Sequence, residues 1–336
     1  MGVDISDLVS PQPVDLKNFK GTMMGIDAFN TIYQFLSNIR EFDGSPLRDK
    51  NGNITSHLSG LFYRNINIIE LGIIPVYVFD GKPHPLKEKT IKERIALKEK
   101  AEKEYLESLA LGDIEKARSY ASRTSRLTQD MVNESMELLF AMGIPVITAP
   151  SEGEAEASYL CKKGKVAYVV SQDYDSLLFG APKLLRNITI SGKRRVGRSG
   201  RTIDINPEMI ILENVLEENG ITHEQLVDIG ILIGTDFNDG IKGIGPKKAI
   251  QLIKKYGSIP KIPGITIENY DELRNIFLNP VVKDIASIDL PPFNEEKIIE
   301  ILVNRHDFSF ERVQSAISRI KNAKKAGVQR SIDSFF

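Results

Sequence analysis

Apolar runs too short for helices, each closing at or just before an acidic residue, restrict the fold of this chain more than any other feature. Met23-Met24-Gly25-Ile26 ends at Asp27, and Val76-Tyr77-Val78-Phe79 ends at Asp80. Val146-Ile147-Thr148 is followed by Glu152 and Glu154, and the run 166–170 by Asp173 and Asp175. Helical patterns lie between the runs. Ile32, Phe35, Leu36 and Ile39 recur at i, i+3, i+4, i+7, and further helices are expected near 55–71 and 128–142. Gly72 and Gly143 stand where a helix C-terminus favours glycine, with Pro75 and Pro145 just beyond. Strands alternating with helices predict an α/β fold, a mainly parallel central sheet flanked by helices.

In such sheets the ligand site lies outside the carboxyl ends of the strands. Four strand ends then deliver six carboxylates to one edge, and Asp236, after Ile233-Gly234-Thr235, adds a seventh. So many acids raise one another's pKa unless a countercharge is present. Hard divalent cations bound through oxygen supply it, and Mg2+ is the usual choice, with Mn2+ a substitute. Two such ions roughly 3.5–4 Å apart activate a water and stabilise the leaving oxygen of a phosphodiester. Each acid also has a plainer reading. Asp80-Gly81 fits a turn, Ser151-x-x-Glu154 has the form of a capping box, and Asp173 and Asp175 fit a loop. Four strand ends with carboxylates favour the metal reading.

The formal net charge is −1, so any polyanion-binding surface must come from local segregation of charge. Three segments show it. Residues 82–127 carry no strand pattern and are rich in Lys, Glu, Arg and Ala, so they read as one or two exposed helices. They form either a solvated insertion or an arch over the site; their position directly after a carboxylate-bearing strand end favours the arch. From 183 to 201 the chain carries Lys183, Arg186, Lys193, Arg194, Arg195, Arg198 and Arg201 without an acidic residue, and three glycines make it a hairpin or mobile loop. Between two helical patterns, Gly240-Ile241-Lys242-Gly243-Ile244-Gly245-Pro246-Lys247-Lys248 reads either as an ordinary helix–helix turn or as a helix–hairpin–helix element gripping duplex phosphates. The paired lysines favour the second.

Other chemistry finds little support. His57, His84, His223 and His306 are scattered without zinc spacing. Gly240 and Gly245 fit the glycines of a P-loop, but Pro246 stands where its lysine must be. Cys161, the one cysteine, cannot form an internal disulfide; it reads as a buried helical side chain in an intracellular protein. No apolar run is long enough to span a membrane, and the N-terminus has no secretory pattern. Met1-Gly2 with Ser6 matches a short myristoylation pattern, but no polybasic patch supplies the second anchor. The segment after Lys321 is basic and polar. Ile332, Phe335 and Phe336 then sit at i, i+3, i+4, an apolar face on a single turn expected to order only in a partner's groove.

Five segments together resemble the flap endonucleases, structure-specific 5′ nucleases of replication and repair. They are Gly25-Ile26-Asp27-Ala28, Tyr77-Val78-Phe79-Asp80-Gly81-Lys82-Pro83, Ala149-Pro150-Ser151-Glu152-Gly153-Glu154-Ala155-Glu156-Ala157, Ser171-Gln172-Asp173-Tyr174-Asp175-Ser176 and Gly243-Ile244-Gly245-Pro246. The resemblance runs nearly the whole length. It implies metal roles for all seven acids, contacts of Lys87 and Arg94 with the scissile phosphate, and stacking of Tyr33 on a base. It extends DNA contacts to Gly2, Arg40, Lys193, Arg194, Arg195, Gly243, Gly245, Lys247 and Lys248. Gln329, Ile332, Phe335 and Phe336 resemble the motif that docks on the sliding clamp. The organisation implied is one nuclease domain over 1–326, with an arch at 82–127, a basic loop at 183–201 and a hairpin element at 220–258, then a clamp-binding tail at 327–336. Many eukaryotic members continue past the clamp motif; a stop at Phe336 points to an archaeal member, in the cytoplasm or nucleoid rather than the nucleus of a eukaryotic one. A monomer is expected. The rival readings are a bubble-cutting repair nuclease, which carries a longer arch insertion, a ribonuclease without need of the hairpin, and a catalytically silent clamp-tethered scaffold.

Overall fold

β2 (Met23–Asp27) follows a two-residue edge strand, β1 (Gln12–Pro13), and buries its last four residues. In the computed structural model, α1 (Ala28–Asn38) and α2 (Ser56–Glu70) lead to β3 (Ile74–Phe79). Next come α3 (Glu88–Ala110), α4 (Ile114–Ala121), α5 (Gln129–Ala141), β4 (Val146–Thr148), α6 (Gly153–Lys162), β5 (Tyr168–Val170) and α7 (Asp175–Leu178). β6 (Lys183–Arg186), β7 (Gly192–Val196), β8 (Arg201–Ile205) and β9 (Glu208–Ile211) precede a helical remainder. That remainder is α8 (Leu212–Asn219), α9 (His223–Ile233), α10 (Pro246–Tyr256), α11 (Tyr270–Leu278), α12 (Glu295–Ile299) and α13 (Phe310–Asp333). The structure describes residues 2–121, 123–189, 192–196 and 201–333, with backbone alone at 114, 118, 192–196, 201–204 and 324–333.

The central sheet has seven strands in the order β1-β9-β6-β5-β2-β3-β4. The run from β4 through β3, β2 and β5 to β6 is parallel; β9 pairs antiparallel with both β6 and β1. Side chains alternate between two apolar layers, as the two-residue period of a strand requires. Val76, Val78, Val169 and Leu184 enter one layer with α6 and α9. Tyr77, Phe79, Val170 and Leu185 enter the other with α1, α2, α5 and α13. Burial on both faces explains why β2 and β3 are continuous apolar runs rather than alternating ones.

The strand order fixes where a ligand can sit. From β2 the chain winds outward through β3 to β4, then returns to the other side of β2 with β5. The connections therefore diverge between β2 and β5, a topological switch point, and their carboxyl ends open a crevice there.

Two segments differ from expectation. Residues 183–186 belong to the sheet, not to the basic loop: Leu184 and Leu185 are both fully buried, one in each layer. Arg186 pairs with Glu208 at 3.0 Å. The separate hairpin is β7–β8, where Lys193, Arg194 and Arg195 lie opposite Asp204, Ile203 and Thr202. At the other end, α13 continues through residue 333, so the backbone of 327–333 extends an existing helix. An isolated turn must bear its own nucleation cost; a continuation of a packed helix does not. Phe335 and Phe336 lie outside the described residues. Among the described residues no helix is long and apolar enough to cross a membrane.

Candidate metal centre and DNA interface

Each carboxylate is fixed by the element that carries it. Asp27 caps α1, where its Oδ1 accepts from the Asn30 N–H at 3.1 Å. Asp80 accepts from the Gly153 N–H at 2.6 Å, which ties the end of β3 to the start of α6. Gly81 must be glycine, since a Cβ there would lie 2.1 Å from the Ala149 carbonyl oxygen. Asp175 opens α7 and accepts from the Val3 N–H at 2.6 Å, drawing in the N-terminus. Gly2 lies against the same carboxylate: a Cβ on it would meet Asp175 Oδ1 at 2.5 Å. Asp173 accepts from Asn30 Nδ2 at 3.0 Å.

The capping-box reading of Ser151 and Glu154 is corrected. Glu152 is the N-cap of α6, and its own side chain makes no capping hydrogen bond. The Glu154 carboxylate instead accepts from the hydroxyls of Ser171, at 2.7 Å, and Ser176, at 3.1 Å. It is turned toward the loop after β5.

Electrostatics joins the seven acids into one set. Burial, then the charge of Asp80 and that of Asp173, pushes Asp27 well above the usual carboxylate range. Burial, then Asp27, Asp175 and Asp173, does the same to Glu154. Asp80 rises to about 6 through burial, Glu152 and Asp236. Asp175 rises to about 7 through burial, Asp236 and Asp173. The four raised acids and the charges that raise them are together all seven: Asp27, Asp80, Glu154 and Asp175 are raised, and Glu152, Asp173 and Asp236 are among the causes.

Countercharge comes from α3 and the turn before it. Lys87 makes ion pairs with Glu152 and, at 3.6 Å, with Asp236, and its ammonium lies 5.6 Å from the centre of the Phe237 ring. Burial lowers the Lys87 pKa, but Glu152, Asp80 and Asp236 outweigh it and raise the pKa overall. Arg94 pairs with Asp236. Among the described residues no three Asp, Glu, His or Cys side chains converge into a closed ligand set. The acids are gathered but two of them are engaged by cations of the chain. The donor set, all carboxylate oxygen and short of positive charge, still fits a hard divalent cation.

The remaining sequence-predicted residues lie on other elements. Tyr33 is half-buried, with Lys98 Nζ 4.3 Å from its ring centre. Arg40 donates to the Gly44 carbonyl at 2.9 Å and to Ser125 Oγ at 2.8 Å, so it braces the 40–46 turn against the chain leaving α4. Gly243 adopts φ +83° and Gly245 caps α10, whose first residue is Pro246. Lys247 and Lys248 are exposed beside them, Lys247 4.0 Å from Asp7. Lys193, Arg194 and Arg195 have backbone positions in β7, and Gln329 and Ile332 have them in α13; their side chains lie outside the described residues. Sequence reasoning missed Asn30, which bridges Asp27 and Asp173, and missed Ser171, Ser176 and Lys98. Asn30 carried one signal: it stands three residues after Asp27, where an N-cap side chain meets the helix.

Comparison with known proteins agrees with this architecture. The XPG N-terminal domain model matches residues 3–101 and the XPG I-region model residues 143–236. Flap endonuclease 1 of Thermococcus onnurineus is 48% identical over 338 residues, spanning 100% of this chain and 99% of the relative. That of Picrophilus torridus is 50% identical over 340 residues, covering 100% of both. The solved flap endonuclease-1 from Methanococcus jannaschii superposes with a TM-score of 0.78 at 44% identity, covering 96% of this chain and 98% of that one. The catalytic core of Rad2 in complex with DNA substrate shares the fold at a TM-score of 0.71 and 22% identity, covering 95% of this chain and 100% of that one. The chain therefore belongs to the flap endonuclease family, metal-dependent nucleases that hydrolyse phosphodiester bonds.

Proposed function

We propose that this chain cuts one phosphodiester at the junction between duplex DNA and a 5′ single strand, as a flap endonuclease and 5′–3′ exonuclease of Okazaki-fragment maturation and repair. The observation that carries the reading is the connected set of seven carboxylates at the β2/β5 crevice, with Lys87 and Arg94 directly above it.

Asp27, Asp80, Glu152, Glu154, Asp173, Asp175 and Asp236 would hold two Mg2+ ions, with Mn2+ able to replace them. Held there, they would supply Lewis-acid chemistry: activation of a water and stabilisation of the leaving oxygen. The chain's own groups do the rest. Asn30, Ser171 and Ser176 hold Asp27, Asp173 and Glu154 in place. Lys87 and Arg94 stabilise the charge that develops on the scissile phosphate. Tyr33 offers a ring face for a base beside the cut, and Gly2 and Arg40 add contacts to the DNA. The Gly243–Gly245 turn with Lys247 and Lys248 grips duplex phosphates, as do Lys193, Arg194 and Arg195 of the hairpin; such contacts position DNA without reading its sequence. Residues 327–336, through Gln329, Ile332, Phe335 and Phe336, dock on a sliding clamp, and the enzyme works as a monomer.

Incubation of the protein with Mg2+ and flap, bubble, nicked and single-stranded DNA tests this reading. Preferential cleavage of the flap at its junction is expected; preferred cleavage of the bubble would move the chain to the bubble-cutting repair nucleases.

A further inference from the structure

α3 is amphipathic in the wrong sense for a helix docked by apolar burial. In its first half the less exposed positions are Thr90, Ile91, Arg94 and Lys98, and Lys87 on the preceding turn shares their side; in its second half Ala101 and Ser108 are buried. Lys87, Arg94 and Lys98 are spaced i, i+7, i+11, which places three cations on one face. Ile95, Leu97 and Leu106 face solvent at 50%, 67% and 58% exposure. The helix therefore meets the crevice with charge and leaves much of its apolar surface outside. Each inward cation has a partner: Lys87 on Glu152 and Asp236, Arg94 on Asp236, and Lys98 over the Tyr33 ring.

These are the groups that the proposed reaction needs for other purposes. Metal ions need the carboxylates, the phosphate needs Lys87 and Arg94, and a base needs the Tyr33 ring. We propose that α3 is a built-in latch, closed on the metal-free crevice by Lys87, Arg94 and Lys98, and that divalent cations open it by displacing the first two from the acids. This rests on the metal reading of the acids given above. Lys98 and Tyr33 hold the latch without touching a carboxylate, so their contact is a positioning element that sets how much metal is needed for release. Docking by charge suits this role: the Lys87 pairs are largely buried and little screened by salt, but a divalent cation bound by the same carboxylates replaces them directly, which it could not do with apolar contacts. Coupling between two sites is reciprocal: if metal loosens α3, loosening α3 must strengthen metal binding by the same factor.

The test uses the full chain without DNA. Fluorophores on Leu111→Cys, beyond the tip of α3, and Ser318→Cys, on α13, report the arch-to-core distance in a Cys161→Ala background. Mg2+ is titrated at constant ionic strength, and its binding is followed in parallel by calorimetry. The distance should change over the range in which Mg2+ binds. Lys98→Gln and Tyr33→Leu should each shift that range to about two- to fivefold lower Mg2+, the worth of one exposed cation–π contact. Tyr33→Leu removes no charge, so its shift cannot be a bulk electrostatic effect, while Tyr33→Phe keeps the ring and should leave the range unchanged. The two shifts should not add in the double variant. Mg2+ binding without a change in distance, or an unshifted range in Tyr33→Leu, overturns the latch. Absence of any Mg2+ binding overturns the metal reading itself, and the latch with it.

Discussion

Asp27 and Asp175 are 6% and 4% exposed, at the ends of elements packed on both faces of the sheet, whereas the 23-residue helix α3 buries only Ala101 and Ser108 among its described side chains. Asp27 ends a strand buried on both faces, whereas Arg94 and Lys98 ride on a helix with little burial of its own. Opposite charges with opposite support teach which half of the site can move. Placing an acid wrongly means disturbing a strand; moving Lys87 or Arg94 means exchanging ion pairs. The fixed half suits ions that demand set distances, and the movable half suits a substrate that must enter and leave.

The largest effects belong to the fixed half. Asp27→Ala or Asp173→Ala should lower flap cleavage by at least about 10³-fold while affinity for flap DNA changes by less than about fivefold, because phosphate contacts elsewhere carry binding. Cleavage and affinity are measured separately, and near-normal turnover in both variants would remove these acids from the metal site. At the movable half, Lys87→Ala and Arg94→Ala should each slow the single-turnover rate by about 10²–10³-fold with a much smaller effect on affinity. Equal losses of rate and affinity would reduce the helix to a binding surface.

Asp80 and Asp175 are raised to about 6 and about 7, from an ordinary value of 3.8. A raised pKa means that ionisation opposes folding, so their contribution is complete below pH ~4 and is lost as pH rises through 6 and 7. The metal-free protein should therefore lose stability across that window, by up to about 1.4 kcal/mol per pH unit for each group titrating. Thermal unfolding in chelator measures the slope; Asp175→Asn should flatten it, and Mg2+ should abolish it. An unchanged slope in the variant contradicts the coupling.

Smaller effects belong to regions outside the crevice. Replacing Lys247 and Lys248 by Ala should weaken binding to every duplex-containing substrate alike and lower the salt-dependence slope by about 0.9 per lost contact. A change in sequence preference with an unaltered slope would contradict the hairpin assignment. Removal of 329–336 should leave cleavage of isolated flaps unchanged and abolish stimulation by a sliding clamp. Reduced cleavage without the clamp would mean that the end of α13 serves the nuclease itself.

What local sequence determined was the supply of parts. An apolar run that stops at an acid specifies a buried strand and the side chain at its end, and the rule for parallel sheets then places Asp27, Asp80, Glu152, Glu154, Asp173 and Asp175 along one edge. The glycine turn before α10 was legible for the same reason, since Gly243 and Pro246 each restrict their own backbone. Tertiary structure decided which parts meet. Because β2 lies between β3 and β5, Asn30 reaches Asp173 across 143 positions and Val3 reaches Asp175 across 172. Residues 183–186 joined the sheet despite their charge, because Leu184 and Leu185 were needed in its two layers. The cationic stripe of α3 was present in the sequence at 87, 94 and 98, but its turn toward the acids and the Tyr33 ring was not. Periodicity gives a helix its faces, whereas the charges it meets across space decide which face turns inward.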